Sequence, residues 1–503
     1  MTSPSHEPRN LIRLWFCVVV GIALWFTPPP DGLNVQAWHV FGVFVTTILS
    51  FLVRPLPMGP CVLLALLVLA TTGSLAPVAG ASSNLVPNPP LSSSEAIAQS
   101  FKASLSGFAD TTVWLVVAAF LISGAVIESG LGRRLALVLI DRLGRTTLGL
   151  AYAITSAEVL LAPFIPSNTA RGGGVMAPIV LSLSHALGSD PVTSPRRAGQ
   201  FLALCGAHAN LISSAMFLTG MAANPLVSKA ARELLQVEFG WSRWFIGAVV
   251  PGLLSALIVP FLLYRLTRPE ITDASAARGE AREQLSAMGR WTPRQIAMSI
   301  VLVAMLVLWA TEYFQKEIFG ASLPATLVAM MGVATLVVLG VLPWRSVVGN
   351  AAAWDALIWL GGMVNIADAL KTTGFVDWFA DQVHTQVTGF SPLLAALALA
   401  LIYFYSMYAF SMLTGHILAF VGVFMTVASS AGSPPLLMVA MLAYFSNLCG
   451  CTTHYSSGPI IIYFGLGYVT VARWFAIGFI VSLAHLAIWL GVGLPYWKLL
   501  GWW

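Results

Sequence analysis

Pro166-Ser167-Asn168-Thr169-Ala170-Arg171-Gly172-Gly173-Gly174 sits at the middle of an apolar stretch running from about residue 147 to 190. One uninterrupted membrane helix does not tolerate this sequence. Proline removes a backbone donor, the glycines weaken the helix, and Ser, Asn and Thr offer the backbone competing partners. Basic residues flank the stretch on both sides: Arg133, Arg134, Arg142 and Arg145 before it, Arg196 and Arg197 after it. A broken apolar segment with the same kind of flank twice reads as a re-entrant hairpin entering and leaving on the cytoplasmic side. Irregular backbone survives at that depth only where it lines a protein cavity.

The rest of the chain agrees with a bilayer as solvent. Of 503 residues 58% are apolar and only 9% charged, against about 25% charged in a soluble globule. Mean hydropathy is +0.84. The net charge of +5 arises from 25 basic and 20 acidic residues and reports loop orientation, so nucleic acid is not an expected partner. Five cysteines, Cys17, Cys61, Cys205, Cys449 and Cys451, lie in apolar stretches as small hydrophobes. The first apolar run, Leu11 to Thr27, is followed by Pro28, Pro29 and Pro30 in place of a small-residue cleavage site, which reads as a retained span.

With Arg9 and Arg13 in the cytoplasm, as expected in a bacterial inner membrane, each later arginine cluster falls on that side. Spans are expected at about 11–27, 37–53, 57–73 and 111–130, with the arginine-free segment Thr71 to Asp110 outside. The first hairpin follows, then spans at 199–225 and 244–264, and one soluble loop from Arg265 to Arg294. Beyond it come spans near 295–312, 323–342 and 353–370, then a second broken segment at about 388–430 centred on Phe410-Ser411-Met412-Leu413-Thr414-Gly415-His416. Asp377 and Asp381 flank it without arginine, so it should open to the opposite face. Spans at 434–458 and 473–495 finish the chain.

An offset of 244 carries Glu128-Ser129-Gly130-Leu131 onto Thr372-Thr373-Gly374-Phe375 and Ser167 onto Ser411. The expected class is an all-α integral membrane protein with about 11 transmembrane helices and two re-entrant hairpins in an inverted-topology repeat. Its expected parts are scaffold spans in 1–110, a first repeat in 111–264, a cytoplasmic loop in 265–294 and a second repeat in 295–503.

At the first tip, unpaired N–H groups of a restarting helix, with Ser167, Asn168 and Thr169 as neutral donors, suit an anion. Exposed carbonyls and hydroxyls also suit a dehydrated monovalent cation. A Ser/Thr-rich packing contact is the plainer alternative. Further stretches of the same kind are Ser213-Ser214-Ala215-Met216-Phe217-Leu218-Thr219 with Ala222-Ala223-Asn224-Pro225, and Asn447-Leu448 through Thr453-His454-Tyr455 with Gly458-Pro459 and Tyr463-Phe464-Gly465.

On these motifs, and across nearly its whole length, the chain resembles the divalent anion/sodium symporter family. Within it the resemblance is to the branch of citrate/succinate and tartrate/succinate antiporters and the plastid 2-oxoglutarate/malate translocator. The resemblance implies a homodimer in which a substrate-carrying part slides against a fixed part, and hairpin tips that present Ser-Asn-Thr-like motifs to substrate carboxylates. Ser167, Asn168 and Thr169 match in full, whereas the second tip departs: Thr414 keeps the last position and Ser411 lies one residue early. That departure favours sodium-independent exchange over symport with Na+ as coupling ion. The resemblance further implies contacts from breaks in the following spans, around Ser213 and Ser214 and around Thr452, Thr453 and His454.

Arg171 is a candidate to pair with a substrate carboxylate or, structurally, with Glu158. His416 and His454 are candidates for pH-sensitive contacts or for interhelical hydrogen bonds. Cys449, Cys451 and His454 are one ligand short of a closed metal site, and no metal or other cofactor is expected. The expected function is secondary transport of di- or tricarboxylates by antiport, with sodium-coupled symport of dicarboxylates or other divalent anions as the alternative. An intramembrane enzyme, for instance a hydrolase using Ser167, is a remote third, since no nucleophile and base motif stands out.

Overall fold

Long apolar runs can satisfy their backbone in lipid only as helices or closed barrels. The computed structural model, which describes residues 7–76, 92–387 and 391–503, takes the helical solution throughout. Among the described residues no strand forms, and one antiparallel bridge joins Thr146 to Asp273. Residues 77–91 of the arginine-free segment and 388–390 at the start of the second expected hairpin lie outside the described residues, as do 1–6.

Eight helices among them are long and apolar enough to cross a bilayer: Val35–Val53, Thr111–Glu128, Trp241–Thr267, Pro293–Ala310, Pro392–Ala409, Leu413–Ser430, Pro435–Thr452 and Val471–Leu499. Shorter apolar helices occupy Leu11–Phe26, Met58–Thr71, Thr147–Leu161 and Ala325–Val338. The 18-residue helix Gly199–Met216 is buried at every position. It can therefore carry His208, Asn210, Ser213 and Ser214, which a lipid-facing helix could not.

Two expected spans are broken in the structure. The span expected at 199–225 stops at Met216 and resumes as Asn224–Leu235, so its break falls at 217–223, a few residues past Ser213-Ser214. The span expected at 434–458 gives way at Leu448 to a tight turn, Cys449–Thr452, and resumes as Gly458–Gly465. Both resumptions carry proline in their first turn, where its missing N–H costs nothing.

Several helices were not expected: Ser93–Ser104, Leu131–Leu143, Ser275–Ala287 and Phe375–Val387. All are short and amphipathic, and a search for uniformly apolar runs passes over them. Within 265–294, expected as a soluble loop, the segment Ser275–Ala287 is helical. Ser92 and Glu95 form a reciprocal cap at the head of Ser93–Ser104, a signal that was present in the sequence.

The chain forms two compact units. The first gathers Met1–Val117, Ala351–Ser391 and Ser429–Gly432. Here the helix Ala351–Thr372 crosses the turn Ser106–Ala109 so closely that a Cβ on Gly107 would collide with the Gly361 carbonyl. Asn365 Nδ2 fastens the crossing through Ala103 O at 2.6 Å and Ser106 Oγ at 2.9 Å, the polar glue expected between membrane helices.

The second unit comprises Ala118–Asn350, Pro392–Ala428 and Ser433–Trp503 and holds both broken segments and both broken spans. Its 27-residue helix Trp241–Thr267 contains Pro251 and Pro260. Proline 251 frees the carbonyl four residues earlier, and Trp497 Nε1 donates to that Gly247 oxygen at 2.8 Å.

Candidate functional site

The first tip is shaped by what its freed carbonyls can find. The helix Thr147–Leu161 gives way to a turn whose last helical bond is Ile165 N to Leu161 O, and the chain restarts as a wide π-turn, Thr169–Met176, leading into Ala177–Ala186; such turns often occur at functional positions. Ser167 Oγ accepts from Ala170 N at 3.1 Å and caps the restart. The Pro163 carbonyl takes the Thr219 hydroxyl at 2.9 Å, and the Asn168 carbonyl takes Asn210 Nδ2 at 3.1 Å.

Arg171 is completely buried and engages all its nitrogens with this chain. Nε pairs with Glu158 Oε2 at 2.7 Å. Nη1 donates to Ile165 O at 2.6 Å and Gly220 O at 2.9 Å. Nη2 reaches Ser214 Oγ at 2.8 Å, Ser213 Oγ at 3.1 Å and Asn210 O at 3.4 Å. The structural pair with Glu158 is thus the arrangement found, and no Arg171 donor is left for a solute. Ser213 and Ser214, both buried, are turned to Arg171 as well. Glu158 Oε2 also accepts from Asn210 Nδ2 at 3.1 Å and Ser213 Oγ at 3.3 Å. A charge in this interior is tolerable only when paired and hydrogen-bonded in this way.

The second tip uses other means. Phe410 is extended, and the helix Leu413–Ser430 begins after Met412. His416 is buried, its Nε2 at 2.7 Å from Ser406 Oγ, with ring centroids of Tyr403, Phe410 and Phe420 at 4.3, 5.1 and 5.6 Å. Its hydrogen bond is the interhelical kind. Ser411 and Thr414 are half-exposed, as are Ser167 and Asn168, while Thr169 is exposed. These five side chains border open space.

Both tips meet the second break. A Cβ on Gly458 would collide with the Thr169 hydroxyl, and one on Gly172 would lie 3.0 Å from Pro459 Cβ. Leu413 N donates to Ser456 O at 2.8 Å. Ser456, Gly458 and Pro459 therefore join the two tips across a few residues of chain. The two breaks are tied in turn, because Asn447 Nδ2 donates to Asn224 Oδ1 at 2.9 Å and Asn224 Nδ2 donates to Ser214 O and Phe217 O at 2.9 and 3.0 Å.

Of the second-break candidates, Thr452 Oγ1 donates to Cys449 O at 2.8 Å, whereas the buried Thr453 hydroxyl finds no partner among the described residues. Half-buried His454 packs on Phe464 at 4.5 Å and Tyr455 at 5.0 Å. Cys449 and Cys451 direct their thiols to the Ser446 and Gly478 carbonyls at 3.6 and 3.7 Å, away from a joint ligand set. Asn210, Asn224 and Asn447 were not among the expected site residues. Their signal was asparagine in otherwise apolar helices, where an unsatisfied amide is too costly to be incidental.

Comparison with known proteins places these features in a wider group. The family described as the sodium:sulfate symporter transmembrane region matches residues 8–503. YflS of Bacillus subtilis (strain 168), whose name proposes malate transport, is 42% identical over 98% of this chain and 97% of its own length. Dicarboxylate transporter 1 of Arabidopsis thaliana chloroplasts is 36% identical over 97% of this chain and 82% of its own. The citrate/succinate antiporter of Escherichia coli (strain K12) is 33% identical, covering 98% of this chain and 99% of its own. Among solved structures, the YdaH transporter of Alcanivorax borkumensis shares the fold with a TM-score of 0.53 and 16% identity, over 97% of this chain and 99% of that one.

Proposed function

Since the chain belongs to the sodium:sulfate symporter family, a family of multi-pass membrane transporters, we propose that it exchanges small di- and tricarboxylates such as succinate, malate, 2-oxoglutarate, citrate or tartrate. Relatives named for malate, dicarboxylates and citrate/succinate support that substrate class. The observation that carries the reading is the meeting of two half-open tips at Ser456–Pro459, each a restarting helix edged with neutral donors.

Ser167, Asn168 and Thr169 on one side and Ser411 and Thr414 on the other hold the carboxylates, with Thr453 and His454 as secondary contacts. Neutral donors at helix starts bind an anion without a buried counter-charge that would hold it too tightly to release. Arg171, Ser213, Ser214 and His416 act one layer behind, holding the tips in shape.

Exchange without sodium is favoured by Arg171. Its guanidinium gathers the Ile165, Gly220 and Asn210 carbonyls, the sort of oxygens a dehydrated monovalent cation would otherwise coordinate. With the guanidinium in place, those carbonyls are not free to coordinate a cation travelling with the substrate. The two tips belong to an inverted repeat that opens alternately to either side by an elevator-like movement, in a homodimer with the N-terminus in the cytoplasm.

Proteoliposomes test this directly. Vesicles preloaded with unlabelled succinate will take up labelled dicarboxylate with no sodium gradient, and Asn168→Ala or Thr414→Ala will lower the rate about ten- to a hundredfold with the protein still folded, as for a lost hydrogen bond to a charged group. Uptake confined to empty vesicles with external sodium would replace exchange by symport.

A further inference from the structure

Segments 131–145, 189–197 and 265–294 carry twelve arginines against six acids, a net of +6 that exceeds the +5 of the whole chain. Hydrogen bonds gather them on one face of the second unit. Glu270 N and Ile271 N donate to the Arg196 and Arg197 carbonyls at 3.3 and 3.2 Å, Ala274 N to Arg145 O at 3.0 Å, and Thr147 N to Thr272 O at 2.9 Å. Arg134 donates to Met288 O and Gly289 O at 2.9 Å each and lies over the Trp291 ring. Gln284 Nε2 reaches Ser182 Oγ at 2.9 Å. The linker is therefore a strap folded across the ends of the first broken segment.

The same folding separates the charges. Asp141 is taken by Arg278 and Arg282, Glu280 by Ser182 and Gln284, Asp190 by its own loop N–H groups and Asp273 by Ser275, while Glu270 and Glu283 are exposed and leave the face with its net positive charge. Arg142, Arg145, Arg196, Arg268, Arg290 and Arg294 are exposed and form no ion pair among the described residues. Apolar side chains stand exposed among them: Val192 at 88%, Leu143 at 46% and Trp291 at 45%. Arg268 caps the apolar helix Trp241–Thr267 and Arg294 opens Pro293–Ala310, which sets this face at the depth of a headgroup layer.

We propose that this face binds anionic phospholipid headgroups. Arginines interleaved with exposed aliphatic and indole groups at span ends match a charged interface with acyl chains beneath it, and match a soluble polyanion less well. The full-length protein in detergent is titrated with phosphatidylglycerol and, separately, phosphatidylcholine, and bound lipid is counted by native mass spectrometry. Phosphatidylglycerol should half-saturate the protein at a concentration at least tenfold lower. The variant Arg142→Gln/Arg196→Gln/Arg268→Gln/Arg290→Gln should raise that midpoint more than tenfold, at roughly fivefold per arginine as an upper figure, with phosphatidylcholine binding and the lipid-free thermal transition unchanged. If the fourfold variant does not fold, Arg142→Gln/Arg290→Gln is used and a severalfold rise is expected. Equal binding of both lipids by the wild type, or an unshifted midpoint in the variant, overturns the proposal. Displacement of phosphatidylglycerol by inorganic polyphosphate at matched charge overturns it in favour of a soluble ligand.

Discussion

The two tips, Pro166–Gly174 and Phe410–His416, answer one problem in different ways. Each interrupts a helix inside an apolar body and must satisfy the backbone groups set free. The first does so with a buried cation that takes up carbonyls from its own break, from the next span and from that span's break. The second uses an imidazole hydrogen bond, an aromatic surround, and bonds from Leu413 N to Ser456 O and from Tyr455 OH to Tyr408 O. At the offset that carries Thr169 onto Thr414, Arg171 falls on His416, so the contrast lies at matching positions. One half of the site is fixed by charge and the other by packing, and the first should be much the more brittle.

The largest expected effect follows from that. Arg171→Met strands Glu158, whose side chain is fully buried, and breaking such a pair costs about 3–5 kcal/mol. A sharp drop in the thermal transition, followed by size-exclusion chromatography in detergent, will report it. Adding Glu158→Gln should restore at least half of the loss, because the stranded charge is then gone. If Arg171→Met alone melts like the wild type, the first tip is not held by charge and the contrast fails.

The contrast was only partly legible in the sequence. Uniformly apolar runs gave the helical membrane class, and Pro166, the glycines and the Ser/Thr cluster marked the first tip, because these residues have strong local consequences whatever surrounds them. The pairing of Arg171 with Glu158 against its pairing with solute could not be decided, since it depends on where Ile165 O and Gly220 O point, a matter of tertiary placement. Ser213 and Ser214 read as solute donors for the same reason. Only in three dimensions does Arg171 lie between them and the tip. The strap escaped because its helix, Ser275–Ala287, is amphipathic and its bonds run to carbonyls of distant segments.

Glycines sharpen the comparison at the next level of effect. A Cβ on Gly172 would lie 2.7 Å from Asn210 Nδ2 and 3.0 Å from Pro459, whereas one on Gly415 meets nothing within 4 Å. Gly172→Ala should therefore cost about 1–3 kcal/mol through overpacking. Gly415→Ala, inside the helix Leu413–Ser430, should be neutral or stabilise by about 0.5–1 kcal/mol through helix propensity and unfolded-chain entropy. Thermal transitions of the two single variants, measured side by side, decide it. Equal losses would mean that the second tip is as tightly built as the first.

The smallest effect belongs to His416. Ser406 Oγ also donates to Tyr403 O at 2.8 Å, so removing the imidazole does not leave the hydroxyl without a partner, and phenylalanine suits a pocket already lined by Tyr403, Phe410 and Phe420. His416→Phe should cost at most about 1 kcal/mol, the worth of one hydrogen bond, while His416→Ala adds a cavity and costs more. A His416→Phe variant that melts as early as Arg171→Met would show that the second tip depends on its imidazole as heavily as the first on its guanidinium, and the contrast would fail.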